Sequence, residues 1–376
     1  MKKILLTVIA LVLTCSWAQA ARKPWDRRPG VILYQLKNEA TPVQRSALAG
    51  AISAYRTNAA PSASTARSHQ TLAYASAGRD EEDLAADLMK TGAVVYAEPD
   101  YLMSPAAIPN DPGYSAQWHH AAIHSAAAWD ITQGANSVIV AVCDTGVEAS
   151  HPDLAANIDL PGFNSADGTA NTNPVASHGT EVTGIIDAVG NNGVGVAGVA
   201  WNVKVLPVRV SNNADGSAWC SDMSTGIEWA ADHGAKVINL SYDITGCPQT
   251  IDAAARYAQE RGAVSFVAAG NSGLNLSGTF PLEHAFFLVG ATDSSGERPT
   301  FSNYGQPVDL VAPGVAIYST IPGNTYAYGT GTSFAAPIAA GVAALLFSLN
   351  PSWSPAQIRV LLLATEIGRA SCRERV

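Results

Sequence analysis

The sequence predicts an α/β protein: a three-layer parallel β-sheet with helices on both faces, preceded by a smaller α+β unit. Three observations predict it. Apolar runs such as Val138-Ile139-Val140-Ala141-Val142 lack the polar alternation of a half-exposed strand, as expected for parallel strands buried on both faces. Longer stretches with helical spacing separate these runs, and strands alternating with helices specify a parallel sheet. Residues 21–107 have a different rhythm, and their segment 57–68, rich in Ala, Ser and Thr, reads as a flexible connector.

In the N-terminal unit, residues 31–36 form an expected strand. Thr41-Pro42 then marks a helix start, with the helical pattern running to about residue 55, because proline suits the first turn. An amphipathic stretch follows at 80–90, and residues 94–101 close the unit as a strand with a proline turn. In the larger unit, strands are expected at 138–142, 204–210, 237–240, 264–268, 287–290 and 308–312. Helices are expected at 178–187, 221–231, 250–261 and 333–349, the last ending before Asn350-Pro351. Sites in such open sheets form beyond the carboxyl ends of strands. Asp144 and Asn271 both fall there.

The two ends read differently from the middle. Met1-Lys2-Lys3, a short apolar run and Ala18-Gln19-Ala20 make residues 1–20 an export signal, too short to be a membrane span. Lipidation at Cys15 is the weaker alternative, because Thr14 precedes it. Residues 366–376 bring abrupt charge into a helix-like pattern and read as a translated sequencing adapter. The larger unit, 108–365, is then C-terminally truncated, and the natural chain is expected to continue. With 376 residues, 47% hydrophobic and 14% charged, the chain can bury a sizeable core. No stretch after the signal is expected to span a membrane. The net charge of −9 without a long basic run argues against a nucleic-acid partner.

Cys143 ends an apolar strand and reads as a buried small hydrophobe. Cys220 and Cys247 lie in loop-like segments of an exported chain. A disulfide between them is expected, with two unpaired thiols as the alternative.

Three short motifs carry chemistry: Asp144-Thr145-Gly146, Ser177-His178-Gly179-Thr180 and Gly331-Thr332-Ser333-Phe334-Ala335-Ala336-Pro337. They supply an orienting carboxylate, a general base and a nucleophile. Ser333 sits among small residues that let a substrate approach, at the start of a helix whose N-terminus favours developing negative charge. His178 alone among eight histidines opens a helix beside glycine; His119, His120 and His124 cluster in a loop-like region. Asp-Thr-Gly also marks aspartic proteases, but these need a second carboxylate, and no second such tripeptide occurs. A lipase would need Gly-x-Ser-x-Gly and the order Ser, Asp, His. Neither is present.

The motifs in the order Asp, His, Ser resemble those of the subtilisin-like serine proteases, of the thermitase and subtilisin type, over about residues 108–365. The resemblance implies a secreted serine endopeptidase that cleaves polypeptides through an acyl-enzyme. Asn271, in Ala268-Ala269-Gly270-Asn271, matches the family's oxyanion-hole asparagine. Substrate would lie as an added strand along Leu240-Ser241-Tyr242, beside Gly270. Ala97-Glu98-Pro99-Asp100-Tyr101 resembles the end of the family's inhibitory propeptide. The N-terminal unit would then be the chain's own inhibitor, removed by autoprocessing. A structural Ca2+ is implied by Asp111, Asp153 and Asn192, with backbone carbonyls of Val189, Val194 and Val196; no zinc pattern occurs. Two features depart from the family. Asp243-Ile244 stands where relatives carry two glycines, which suggests a preference for basic residues, and Glu181 sits one turn after His178. The alternative is a catalytically silent binding module on the same fold.

Overall fold

The computed structural model describes residues 27–55, 70–74, 80–101, 108–278 and 280–365. The export signal, the connector at 57–68 and residues 366–376 lie outside these. Residues 27–101 belong to one compact unit and 108–365 to another.

The first unit is a three-stranded antiparallel sheet of β1 (Arg27–Leu36), β2 (Gln70–Tyr74) and β3 (Val94–Tyr101), in the order β2-β1-β3. Helices α1 (Pro42–Tyr55) and α2 (Glu81–Lys90) pack against it. Alternate residues Ile32 and Tyr34 of β1 meet Leu48, Leu84 and Leu88 of the helices in a small core. Asp80 caps α2 by accepting from Glu82 N–H at 3.0 Å, and acids in the first turn with Lys90 in the last suit the helix dipole. β2 lies just beyond the expected connector and was not legible in the pattern.

The second unit is built on seven parallel strands in the order β10-β9-β8-β7-β4-β6-β5. In chain order they are β4 (Ile139–Asp144), β5 (Phe163–Asn164), β6 (Lys204–Arg209), β7 (Val237–Leu240), β8 (Val264–Ala268), β9 (Phe286–Thr292) and β10 (Leu310–Pro313). A hairpin of β11 (Ile317–Ile321) and β12 (Thr325–Gly329) follows. The helices are α3 (Trp118–Ala122), α4 (Ser125–Trp129), α5 (His178–Asp187), α6 (Cys220–Asp232), α7 (Pro248–Glu260), α8 (Thr332–Leu349) and α9 (Pro355–Thr365).

The strands serve two cores at once. Val140 and Val142 of β4 face one core with α5, α8 and α9, whereas Ala141 and Cys143 face the other with α6 and α7. Every residue of β7 and β8 is buried, which is why their sequence shows no alternation. Phe266 and Phe287 stack between β8 and β9 with centroids 4.9 Å apart.

Four expectations need correction. α8 is long and apolar enough to cross a membrane by length and composition, contrary to the expected absence of such a stretch, but 78% of that window is buried inside the unit. His119 and His120 are not loop residues; they lie buried on α3. Cys220 and Cys247 stand at the starts of α6 and α7 instead of in loops, and the disulfide expected between them is formed. The strand expected at 308–312 begins at Leu310, after a turn closed by Val308 N–H donating to the Gly305 carbonyl.

Candidate active site

Asp144 is the last residue of the central strand β4, with a wholly buried side chain. Its Oδ1 accepts from Thr145 N–H at 2.7 Å and from His178 Nδ1 at 2.8 Å. The next residues lock the approach of α5, the helix that carries His178 at its first position. Thr145 Oγ1 donates to the Ala176 carbonyl at 3.1 Å and accepts from Gly179 N–H at 3.0 Å. A side chain at Gly179 would run into the Gly146 carbonyl. The glycine after the histidine is therefore required by close packing of the helix start on the aspartate turn.

Burial opposes a charge on His178, but attraction to Asp144, the hydrogen bond it donates to that carboxylate, and the charge of Glu181 together raise its pKa above the ordinary imidazole value. Cys143, directly before Asp144, is held as a neutral thiol by burial and by that carboxylate.

Ser333 is the second residue of α8 and is nearly buried. Its neighbour Phe334 meets the His178 ring edge-on, with centroids 6.1 Å apart, so the histidine lies against the serine's turn. The two are not hydrogen-bonded to each other, a common condition before substrate binds.

Thr332, read from the sequence only as a small neighbour of Ser333, fixes the other half of the site. Its N–H and hydroxyl both donate to Asn271 Oδ1, at 2.8 and 3.0 Å, while its Oγ1 accepts from Gly270 N–H at 3.1 Å. With Oδ1 committed, the Asn271 amide must turn its two N–H donors away from Thr332. Both Ser333 Oγ and Asn271 Nδ2 lie close around Gly331, at 3.1 and 3.4 Å from where a side chain there would begin. The link runs between residues 61 positions apart, so no local pattern could have revealed it.

The expected substrate-binding residues divide. Leu240 is paired with Cys143 on one side and Val267 on the other, and its side chain is in the core. It has no free edge for an added strand, so that assignment is corrected. Ser241 and Tyr242 lie just past the end of β7. Ser241 Oγ donates to the Ser333 carbonyl at 2.9 Å and accepts from Asn239 Nδ2 at 2.9 Å. Tyr242 Oη donates to the Gly216 carbonyl at 2.8 Å. Gly270 has a left-handed backbone, φ 97°, as a residue without a side chain readily allows.

The residues named for a cation also come together. Asp111 accepts from the N–H groups of Asn191 and Asn192 at 2.6 and 3.1 Å. Asp153 accepts from Asn192 Nδ2 at 2.9 Å and Val196 N–H at 2.8 Å. Both carboxylates are buried and have no basic partner among the described residues. Burial, then the Asp111 charge, raises the Asp153 carboxyl to about 6 against the lowering effect of its hydrogen bonds. Two buried carboxylates without a basic partner suit a hard divalent cation. What is shown of the loop is its N–H side: Val189 N–H donates to the Asp153 carbonyl and Val194 N–H to Asn192 Oδ1. Among the described residues no three His, Cys, Asp or Glu side chains cluster, so any ion here would need backbone ligands.

A histidine held by a carboxylate, a serine at a helix start beside the ring that meets it and an amide fixed through its oxygen form the arrangement that serine peptidases use. The subtilase family model matches residues 135–374, and the chain belongs to that family, with its subtilisin-like fold.

The chain is 43% identical over 256 residues to a thermophilic serine proteinase of Bacillus sp. strain AK1, covering 68% of this chain and 63% of that protein. It is 42% identical over 248 residues to thermitase of Thermoactinomyces vulgaris, covering 65% of this chain and 88% of that protein. A solved protease of Pseudoalteromonas arctica PAMC 21717 superposes with a TM-score of 0.63 at 32% identity, over 71% of this chain and 96% of that one. The chain thus spans less than two thirds of the first of these relatives.

Proposed function

We propose that the chain is an exported serine endopeptidase that hydrolyses polypeptides and cuts away its own N-terminal unit. The observation that carries this reading is the 2.8 Å Asp144–His178 contact, with the His178 ring against Phe334, the residue after Ser333, and the Asn271 carbonyl oxygen held by Thr332. In the first half-reaction, Ser333 Oγ attacks the scissile carbonyl carbon while His178 Nε2 takes the hydroxyl proton. Asp144, bound to Nδ1–H, keeps the ring in the right tautomer and offsets the imidazolium charge. Asn271 Nδ2 and the Ser333 backbone N–H donate to the oxyanion. The intermediate collapses, the C–N bond breaks, and His178 returns the proton to the leaving amine. Water then attacks the acyl-Ser333 ester with the same base and releases the acid.

Residues 1–20 would direct export, and residues 21–107 would act as an intramolecular inhibitor until cut. Asp111, Asp153, Asn192 and the carbonyls of Val189, Val194 and Val196 would hold Ca2+. Its contribution would be neutralisation of the two buried carboxylates, with no part in the reaction. At roughly 100 times its Kd such an ion adds about 2.7 kcal/mol of stability. Chelation is therefore expected to lower Tm, and calcium to restore it; a Tm indifferent to both would contradict the site.

A fluorescent phosphonate aimed at active-site serines tests the reaction. Near-stoichiometric labelling at Ser333, lost in Ser333→Ala, is the expected result. A folded wild-type protein that takes up no label would favour the silent binding module instead.

A further inference from the structure

We infer that Asp243 sets the substrate class, selecting a basic side chain on the residue that precedes the scissile bond. The inference rests on the peptidase reading above. β7 and β8 are parallel neighbours, with Leu240 beside Val267. The loops that leave their carboxyl ends therefore emerge side by side. One carries Ser241, Tyr242 and Asp243; the other carries Gly270 and Asn271. Both are tied to the nucleophile's turn, through Ser241 Oγ to the Ser333 carbonyl and Gly270 N–H to Thr332 Oγ1. The floor between these loops, next to the oxyanion donor, is the place for the side chain whose carbonyl is attacked.

Gly270 forms that floor, and Asp243 stands over it. Asp243 Oδ2 lies 2.5 Å from where a Cβ on Gly270 would sit. Asp243 Oδ1 is fixed by Thr245 N–H at 2.9 Å, which aims the carboxylate. Its Oδ2 takes no hydrogen bond and meets no basic side chain among the described residues, and the residue is exposed. The nearest amide does not neutralise it. Asn303 Nδ2 donates to the Ala269 carbonyl at 2.8 Å, and its Oδ1 accepts from Ser272 and Leu274 N–H. An oriented and uncompensated carboxylate on the floor offers a guanidinium or ammonium a charge-assisted bond. The same carboxylate is desolvated at a loss by an apolar ring. The net charge of −9 adds a field that favours cationic peptides.

The test is kcat/KM of the matured enzyme on peptides that differ only at that residue, with Arg, Lys, Phe or Ala. Wild type is expected to favour Arg and Lys over Phe, and Asp243→Asn to compress the Arg/Phe ratio by roughly 10–100-fold. The Arg preference of wild type should also shrink as salt rises, a measurement that needs no variant. An unchanged ratio in Asp243→Asn, a wild-type preference for Phe, or an Arg preference indifferent to salt would overturn the inference. Full phosphonate labelling without a basic preference would overturn this assignment alone. No labelling and no turnover of any peptide would overturn the peptidase reading beneath it.

Discussion

The two compact units bury their apolar surface in opposite ways. In the N-terminal unit the core is a small cluster around Ile32, Leu48, Leu84 and Leu88, and β3 leaves Val95 53% exposed. In the larger unit β7 and β8 are buried along their whole length, between α8 on one side and α6 and α7 on the other. The difference teaches what each design can hold fixed. A sheet clamped on both faces has strand ends that cannot drift, and Asp144, Ser241 and Asn271 are all placed at or just past such ends. A small unit has little apolar burial to spare, which suits the removable role proposed for it.

The largest expected stability loss lies in the clamped sheet. Phe266→Ala removes a fully buried ring stacked on Phe287 and should cost about 3–5 kcal/mol. Leu88→Ala, equally buried in the N-terminal core, should cost about 2–5 kcal/mol, and in so small a core that should unfold the unit. Denaturant melts in a Ser333→Ala background would separate them. Equal shifts of every transition by both substitutions would break the comparison. Asn271→Ala should lower kcat by roughly 10²–10³ with little change in KM, the effect measured for this donor in subtilisin itself. An equal loss in KM would show that the amide binds substrate and not the oxyanion.

Smaller effects sharpen the picture at the edge of the larger unit. The Cys220–Cys247 bond joins residues 27 positions apart at the starts of α6 and α7. Replacing both with Ser should cost about 2–4 kcal/mol, read as a lower denaturation midpoint with kcat retained. The smallest expected effect is on pH dependence. His178 must be neutral to act as base, and its folded pKa is raised, against burial, by Asp144 and Glu181. The acid limb of kcat/KM should therefore lie above the ordinary imidazole range. Glu181→Gln should move it downward. The same shift bears on stability. The raised pKa stabilises the fold below the unfolded imidazole value, and that contribution disappears as pH rises through the folded value. An acid limb unmoved in Glu181→Gln would remove Glu181 from the account.

Much of this was legible because the chemistry is local. Buried parallel strands announce themselves as continuous apolar runs, so β4, β7 and β8 were placed within two residues. Asp144, His178 and Ser333 each sit in a motif whose small neighbours are needed for close packing, as Gly179 against Gly146 shows. The β11–β12 hairpin was missed, although Pro322-Gly323-Asn324 between Tyr-rich arms is a turn signal. The role of Thr332 was not legible at all. It arises where α8 meets the end of β8, and only the folded topology brings those segments together. The Leu240 assignment failed for a related reason: the sequence shows a strand, but not that both its edges are occupied.

The most direct test of the central claim is the size of the full chain on a denaturing gel, wild type against Ser333→Ala. The account predicts that wild type releases a fragment with the mass of the N-terminal unit while Ser333→Ala stays whole. If the two proteins, both folded, remain equally whole or are cut alike, Ser333 is not the nucleophile that removes that unit.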